Sequence, residues 1–317
     1  MAHELEQMAY TGEVPWHGLG HVLDPNTPIE EWVVKAGLDW EVSMRPVQYH
    51  AEDGLGGISM KTFKDRFVLA RNTDNRPFTV VSNRYKPVQP KQILEFFRDL
   101  VRDFGMSIET AGSLRNGQRV WALAKTNDAF KVMGVDEVQG YLMLATSYDL
   151  TFSTLAQFTS VRVVCNNTLQ QSFKSYTGRV SIPHFRDFDE KDVKEQMGVG
   201  RSQWEAFTGM LSTLSTIRLD VSKANEVLGQ AFQLKNDPVK DSVSKTHMSN
   251  IINLFTGKAI GSDIAGQTGW GLVNATTEYL QHHKRARSQD NRIDSAWFGE
   301  SAQLERRVVD QTLLLAA

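Results

Sequence analysis

The 317-residue sequence predicts an α+β protein: an antiparallel sheet with a helix packed across it, followed by a helical C-terminal region. Three observations carry that expectation. Period-two alternation recurs between residues 40 and 164, one strong helical stripe interrupts it after Pro90, and beyond residue 187 apolar residues recur at helical spacing. The expected division is an irregular N-terminal region over residues 1–60, a basic α+β core over 61–186 and a helical region over 187–317. With 16 Phe, 7 Trp and 7 Tyr, the chain has the large apolar groups that a packed core requires.

In chain order, Asn26-Thr27-Pro28-Ile29-Glu30 reads as a helix start, with Thr27 as cap, Pro28 in the first turn and Glu30 closing a capping box; Gly37 stops it. Trp40, Val42 and Met44 alternate with polar residues as in a half-buried strand. Phe67 to Arg71 and Phe78 to Ser82 flank the turn composition Asn72-Thr73-Asp74-Asn75, a hairpin. Pro90 opens a helix whose buried face carries Ile93, Leu94, Phe97, Leu100, Val101 and Phe104, with Gly105 just past its end. Asn116-Gly117 is a strong hairpin signal, because both residues tolerate the positive φ of a type I′ turn. Val120 to Lys125 is the return strand. Tyr141 to Tyr148 and Thr151 to Val164 are two further strands joined near Asp149, with a turn or short helix expected from Asn166. Trp204, Phe207, Leu211 and Leu214 mark a helix; Ala224, Val227, Leu228 and Ala231 mark a second, with Ser222 as cap. Asn236-Asp237-Pro238 breaks the run, a helix follows from Ser242 to Phe255, and a last one carries Trp270, Val273, Thr277 and Leu280.

Charge is distributed unevenly. Residues 1–74 carry 6 basic and 12 acidic side chains, residues 75–186 carry 14 and 8, and residues 187–317 carry 15 and 17. Within the basic third, residues 75–94, 110–127 and 150–186 contain no Asp or Glu. These windows hold Arg76, Arg84 and Lys86, then Arg115, Arg119 and Lys125, then Lys174 and Arg179 with Arg162, interleaved with aromatics that include Tyr148, Phe152 and Tyr176. Cations along a backbone and aromatic faces under bases are how single-stranded nucleic acid is held. The alternative is that strands deplete carboxylates anyway and turn their aromatics inward.

Catalytic signatures are not evident. His17 and His21 are separated by Gly18 and Gly20 and do not share a helical face, so no metal is expected; His282 and His283 are adjacent and point apart. Neither a phosphate-binding glycine loop nor a dinucleotide fingerprint occurs, and no cofactor is expected. The single cysteine, Cys165, reads as an inert packing residue, with His184 the nearest base in sequence were it catalytic. One cysteine excludes an intrachain disulfide. The first twenty residues lack a signal-peptide pattern, and no apolar run reaches the roughly 18 residues of a membrane span. A cytoplasmic, non-enzymatic protein is the expectation.

Three stretches resemble a known family. Pro15-Trp16-His17-Gly18-Leu19-Gly20, Arg162-Val163-Val164-Cys165-Asn166-Asn167-Thr168 and Trp270-Gly271-Leu272-Val273-Asn274-Ala275-Thr276-Thr277-Glu278-Tyr279 are similar to motifs of the phage/plasmid-like proteins grouped under a domain of unknown function. The resemblance spans nearly the whole chain. It implies a gene carried on phages, prophages and plasmids, and it supplies no catalytic residues.

The function expected is single-stranded DNA binding or annealing in recombination or replication. The order of hairpin, helix and antiparallel sheet is coarsely similar to annealing proteins of the Red-beta and Erf kinds. Arg115, Arg119 and Lys125 are expected to form a mobile basic finger around the Asn116-Gly117 turn. The apolar end Leu313-Leu314-Leu315-Ala316-Ala317 suggests a homo-oligomer. The alternatives are a host-interaction or anti-defence protein that binds another protein, and a Cys- or metal-dependent hydrolase.

Overall fold

The computed structural model describes residues 5–12, 20–52, 54, 56–162, 167–170, 179–197, 201–235, 237 and 241–316. Among these, an eight-stranded sheet grows around a meander of β6 (Ser107–Leu114), β7 (Arg119–Val132), β8 (Asp136–Ser147) and β9 (Thr154–Arg162), each antiparallel to the next. β1 (Leu5–Tyr10) pairs antiparallel with β6, and the short β2 (His21–Val22) lies parallel beside β1, so the sheet is mixed. At the other side β10 (Asn167–Gln170) and β11 (Arg179–Ile182) share the edge of β9 end to end. Of the turn or short helix expected around Asn166, a helix over residues 167–170 is corrected, because these pair as a strand; residue 166 itself lies outside the described residues. The Asn116-Gly117 turn is as the sequence indicates. The N–H of Gln118 donates to the carbonyl of Arg115 at 3.2 Å, with φ of 55° at Asn116 and 85° at Gly117.

A second, three-stranded sheet contains β3 (Val42–Glu52), β4 (Ile58–Arg71) and β5 (Pro77–Ser82), which includes the predicted hairpin across residues 72–75. Its base is buried through Val42, Leu69 and Val81, whereas the far half of the β3–β4 ribbon projects with Ile58, Met60 and Phe63 exposed.

One face of the large sheet is covered by α1 (Ile29–Lys35), α2 (Pro90–Glu95), α3 (Arg98–Phe104) and α4 (Glu190–Met197). The sheet offers small residues there, Ala122 and Ala124 beside Val120, Leu142 and Leu144, so Ile93, Leu94, Phe96 and Phe97 pack close and fully buried. The helix expected from Pro90 breaks at Phe96-Phe97, and the second piece leaves Val101 and Phe104 exposed rather than on the buried face. Gly105, at φ 66°, ends it as expected. At α1 the cap position belongs to Pro28 and no side chain bonds to it, so Thr27 does not cap. Residues 1–60 are less irregular than the sequence suggests: they supply β1, α1 and β3, and Trp32, Leu38 and Trp40 enter the same core as α2.

The C-terminal region is helical: α5 (Arg201–Thr216), α6 (Val221–Ala231), α7 (Ser242–Asn253), α8 (Ser262–Ala265), α9 (Gly269–Glu278), α10 (Gln289–Trp297) and α11 (Glu300–Leu313). Asp220, not Ser222, caps α6, accepting from the N–H of Lys223 at 2.8 Å. α9 was expected to be the last clear helix, but α10 and α11 follow it. Every residue of α9 is buried, which makes it the axis of this region. Its indole Trp270 Nε1 donates to Asp136 Oδ2 of β8 at 2.7 Å, tying the helices to the sheet. Leu313 packs against the helical core, while Leu314 and Leu315 are exposed.

The start of α9 is crowded. A Cβ on Gly271 would overlap the carbonyl of Gly266, whereas one on Gly209 of α5 would meet open space. Gly271→Ala should therefore cost about 3 kcal/mol in urea unfolding. Gly209→Ala, at an exposed helix interior, should gain up to about 1 kcal/mol.

Candidate nucleic-acid interface

The second face of the large sheet meets α10, and the seam between them concentrates charge. β7 alternates, so Arg119 and Trp121 point to this face together. From α10 come Asn291, Asp294 and Trp297, three residues apart and hence on one side of the helix. Trp297 meets Trp121 edge to face at 5.6 Å, and Phe298 stacks on Phe152 at 4.8 Å. Between these aromatics and the 115–118 turn sits an ion cluster. Asp294 bonds to Arg115 at 2.7 Å and pairs with Arg119, whose guanidinium also reaches Asp149 at 3.5 Å and Thr151 Oγ1 at 3.0 Å. Arg119 lies over the Phe152 ring at 5.5 Å. Burial holds its guanidinium below the usual arginine range, with Asp149 opposing.

Two cavities open at the two ends of α10. The first, about 490 Å³, is lined by Arg76, Arg115, Arg287, Asn116, Gln118 and Asn291, with Phe78 at its wall. The second, about 180 Å³, brings together Phe152, Gln157, Arg179, Trp297, Phe298 and Arg306. Among the described side chains no carboxylate lines either one. Arg76, Arg115 and Arg287 line the first cavity, and among its described lining side chains no carboxylate opposes them, although Asp74 pairs with Arg76 and Asp294 with Arg115 just outside it. The walls are thus suited to an anion with hydrogen-bonding groups.

Of the residues singled out from sequence, Arg76 and Arg115 meet in the first cavity, and Phe152 and Arg179 in the second. Arg119 is a correction: it is 5% exposed and held in ion pairs, so no mobile finger exists. Lys125 is exposed on the same strand six residues away, about 20 Å along it, apart from the seam. Tyr148 is a second correction, since it is fully buried, donates its hydroxyl to the Val88 carbonyl at 2.7 Å and packs on Phe78. It cannot receive a base. Arg84 is exposed, and Lys86 pairs with Asp187 at 3.3 Å. Arg162 ends β9 and Asn167 and Thr168 begin β10, but their side chains are not described. Lys174, Tyr176, Cys165 and the Pro15, Trp16, His17, Gly18 motif lie outside the described residues.

The last family motif is architectural. Trp270 holds Asp136; Asn274 Nδ2 donates to the Trp270 carbonyl at 2.8 Å; Glu278 accepts from the Ile260 N–H at 2.9 Å; and Tyr279 bonds to His247 Nδ1 at 2.5 Å. Sequence reasoning missed Gln157, Arg287, Asn291, Asp294, Trp297, Phe298 and Arg306. A signal did exist in Ser288, whose hydroxyl accepts from the N–H of Asn291 at 3.2 Å and caps α10.

Among the described residues no group of three or more His, Cys, Asp or Glu is placed to hold a metal ion, and no helix is long and apolar enough to cross a membrane. The family model described as Domain of unknown function (DUF932) matches residues 77–297, a span that begins and ends at walls of the two cavities. No curated protein and no solved structure matches the chain.

One prediction concerns the seam and a second the buried histidines. Asp294→Ala leaves Arg119 buried with its weaker partner Asp149, so stability should fall by roughly 3 kcal/mol in urea unfolding. The second concerns pH. Burial holds His184, His247 and His282 below the usual histidine range. They stay neutral in the fold while the unfolded chain takes up protons first, so their contribution is complete above about pH 6.5 and is lost below it. The melting temperature should drop between pH 6.5 and 5, and His184→Gln should make that drop smaller.

Proposed function

The chain belongs to the DUF932 family, and we propose that it is a non-enzymatic protein that holds single-stranded nucleic acid, DNA by preference, along the seam between α10 and the sheet. One observation carries this reading: the cavity of about 490 Å³ into which Arg76, Arg115 and Arg287 converge with three carboxamides. Guanidinium forks match phosphate oxygens in pairs, and Asn and Gln side chains read base edges or sugar hydroxyls. Phe78, only partly exposed, is the aromatic within reach of a base. For a protein similar to phage and plasmid genes, strands exposed in replication or recombination are the natural ligand. Association through the exposed Leu314 and Leu315 would extend the seam over more nucleotides.

A second reading, capture of a host protein, is favoured by the projecting ribbon. Ile58 is 71% exposed, Met60 59% and Phe63 53%, more apolar surface than a solvated arm needs. Shortening this ribbon to a tight turn leaves strand binding unchanged under the first reading.

The test is salt titration with fluorescent oligo-dT. Affinity should fall with a log–log slope of about −0.7 per phosphate neutralised. Arg76→Gln with Arg287→Gln should flatten the slope by roughly 1.4. Wild-type protein that does not bind at low salt ends the proposal.

A further inference from the structure

We infer that the outer edge of β4 is a docking site for an extended, acidic segment of a partner protein, which adds to the small sheet as a further strand beside residues 58–64. This rests on the second reading, whose partner it gives a chemistry, and is independent of nucleic-acid binding at the seam. β3 pairs with one side of β4 along nearly its whole length, from Arg71 to Ile58. On the other side β5 pairs only from Arg66 onward. Among the described residues no strand pairs with that side over residues 58–65, so its main-chain N–H and C=O groups face solvent. The stretch has about the usual length of a strand. The opposite edge of the ribbon is less receptive, because β3 carries Pro46, which has no N–H to offer. β4 has no proline, and its irregularity comes only at the near end: Pro46 opposes Phe67 and Gln48 opposes Thr62, so residues 63–66 bulge, with Asp65 at φ 58°.

Apolar exposure on both faces selects the mode of binding. Residues directly opposite one another share a face, so Ile58 and Met60 stand with Glu52 and His50, and Lys61 stands with Tyr49 on the reverse. Alternation along β4 puts Phe63 on the reverse too. Ile58, Met60, Phe63 and Tyr49 are all exposed. A helix or sheet laid on one face leaves the other bare. A strand added at the edge sends alternate side chains to both faces and continues the main-chain ladder. Charge selects the partner. Lys61, Lys64 and Arg66 lie along this stretch and form no ion pair among the described residues. Of the nearby carboxylates, Asp65 is taken by the Asn83 amide at 3.0 Å, and Glu52 lies across on β3. An acidic strand therefore meets three cations. A second copy of this edge brings three more, and like charges across a strand pair are destabilising, so self-pairing is opposed. A nucleic acid is also drawn by cations, but it has no ladder of N–H and C=O groups to offer.

The probe is a fluorescein-labelled peptide of about nine residues in which Glu alternates with Val, read by fluorescence anisotropy against the full chain. Two control peptides accompany it, one with Lys in place of Glu and one with every second amide N-methylated. The Glu peptide should bind about tenfold more tightly than the Lys peptide, and N-methylation should abolish its binding. Lys61→Glu with Lys64→Glu should reverse the preference between the two peptides. Both side chains are exposed, so the melting temperature of this variant should match the wild type and separate loss of binding from loss of fold. Absence of Glu-peptide binding, equal binding of the Glu and Lys peptides, or binding untouched by N-methylation overturns the proposal. Oligo-dT binding that is lost in the double variant makes the ribbon a nucleic-acid arm and overturns it too, as does a dimer in light scattering that dissociates when the ribbon is shortened. A host protein held by the wild type and lost on shortening the ribbon, with no peptide bound, keeps the second reading and overturns strand addition alone.

Discussion

Asp294 is shared by two arginines from opposite ends of one turn, and the geometry of the seam depends on that sharing. Its carboxylate stands on α10, while Arg115 and Arg119 flank the Asn116-Gly117 turn of the sheet. Taking Arg119 and Asp294 out of water costs more than their attraction easily returns, and Arg115 stays partly solvated, so the cluster is better understood as fixing position than as supplying stability. The carboxylate sets the height of α10 above the turn, and Trp297 and Phe298 set it above the sheet through Trp121 and Phe152. The two cavities are the spaces left at the ends of a helix held at those two points. A seam closed by apolar packing alone would have no reason to keep them open.

The same logic holds at the second joint between sheet and helices. Asp136 lies at the tip of the β7–β8 hairpin, fully buried, and receives the Trp270 indole from α9. α9 is buried on every side, so its hydroxyls turn back on their own helix: Thr276 to the Leu272 carbonyl and Thr277 to the Val273 carbonyl, at 2.8 and 3.0 Å. The Trp270 to Tyr279 motif therefore describes a structural axle. This explains how a specific motif can identify a family without indicating any chemistry, and it places the functional question on the seam, where the motif has no side chain.

What could be read in the sequence followed from local rules. The meander from Ser107 to Arg162, the Asn116-Gly117 turn and the helix stops at Gly37 and Gly105 each depend on residues near one another in the chain. Tyr148 failed for the opposite reason. It sits just past the end of a strand in the basic third, yet the side of the sheet it faces is decided by Phe78 and Val88, sixty to seventy residues earlier. Arg119 failed similarly, because its partner Asp294 lies far along the chain. The site was half visible: four of the named residues line the cavities, and the residues that close them belong to α10 and α11; α11 carries a clear stripe of Leu304, Val308 and Val309 that the sequence reading passed over, whereas α10 is polar, with few apolar residues to mark it.

Charge counted along the chain was a poor guide to charge in space. Much of the basic third is neutralised locally, with Arg98 on Glu95 and Glu30, Arg102 on Asp99 and Asp103, and Lys86 on Asp187. Surface pairs of this kind contribute little stability, but they remove the continuous positive stripe that the composition suggested. The positive potential collects where the sheet and the last helices meet, and two of its members, Arg287 and Arg306, come from the third of the chain whose net charge is negative. A ligand drawn to this protein by charge therefore meets a short site of a few guanidiniums rather than a long groove. Such a site neutralises few phosphates, so its binding depends less steeply on salt than a groove's, and its selectivity must come from the carboxamides and the shape of the two cavities.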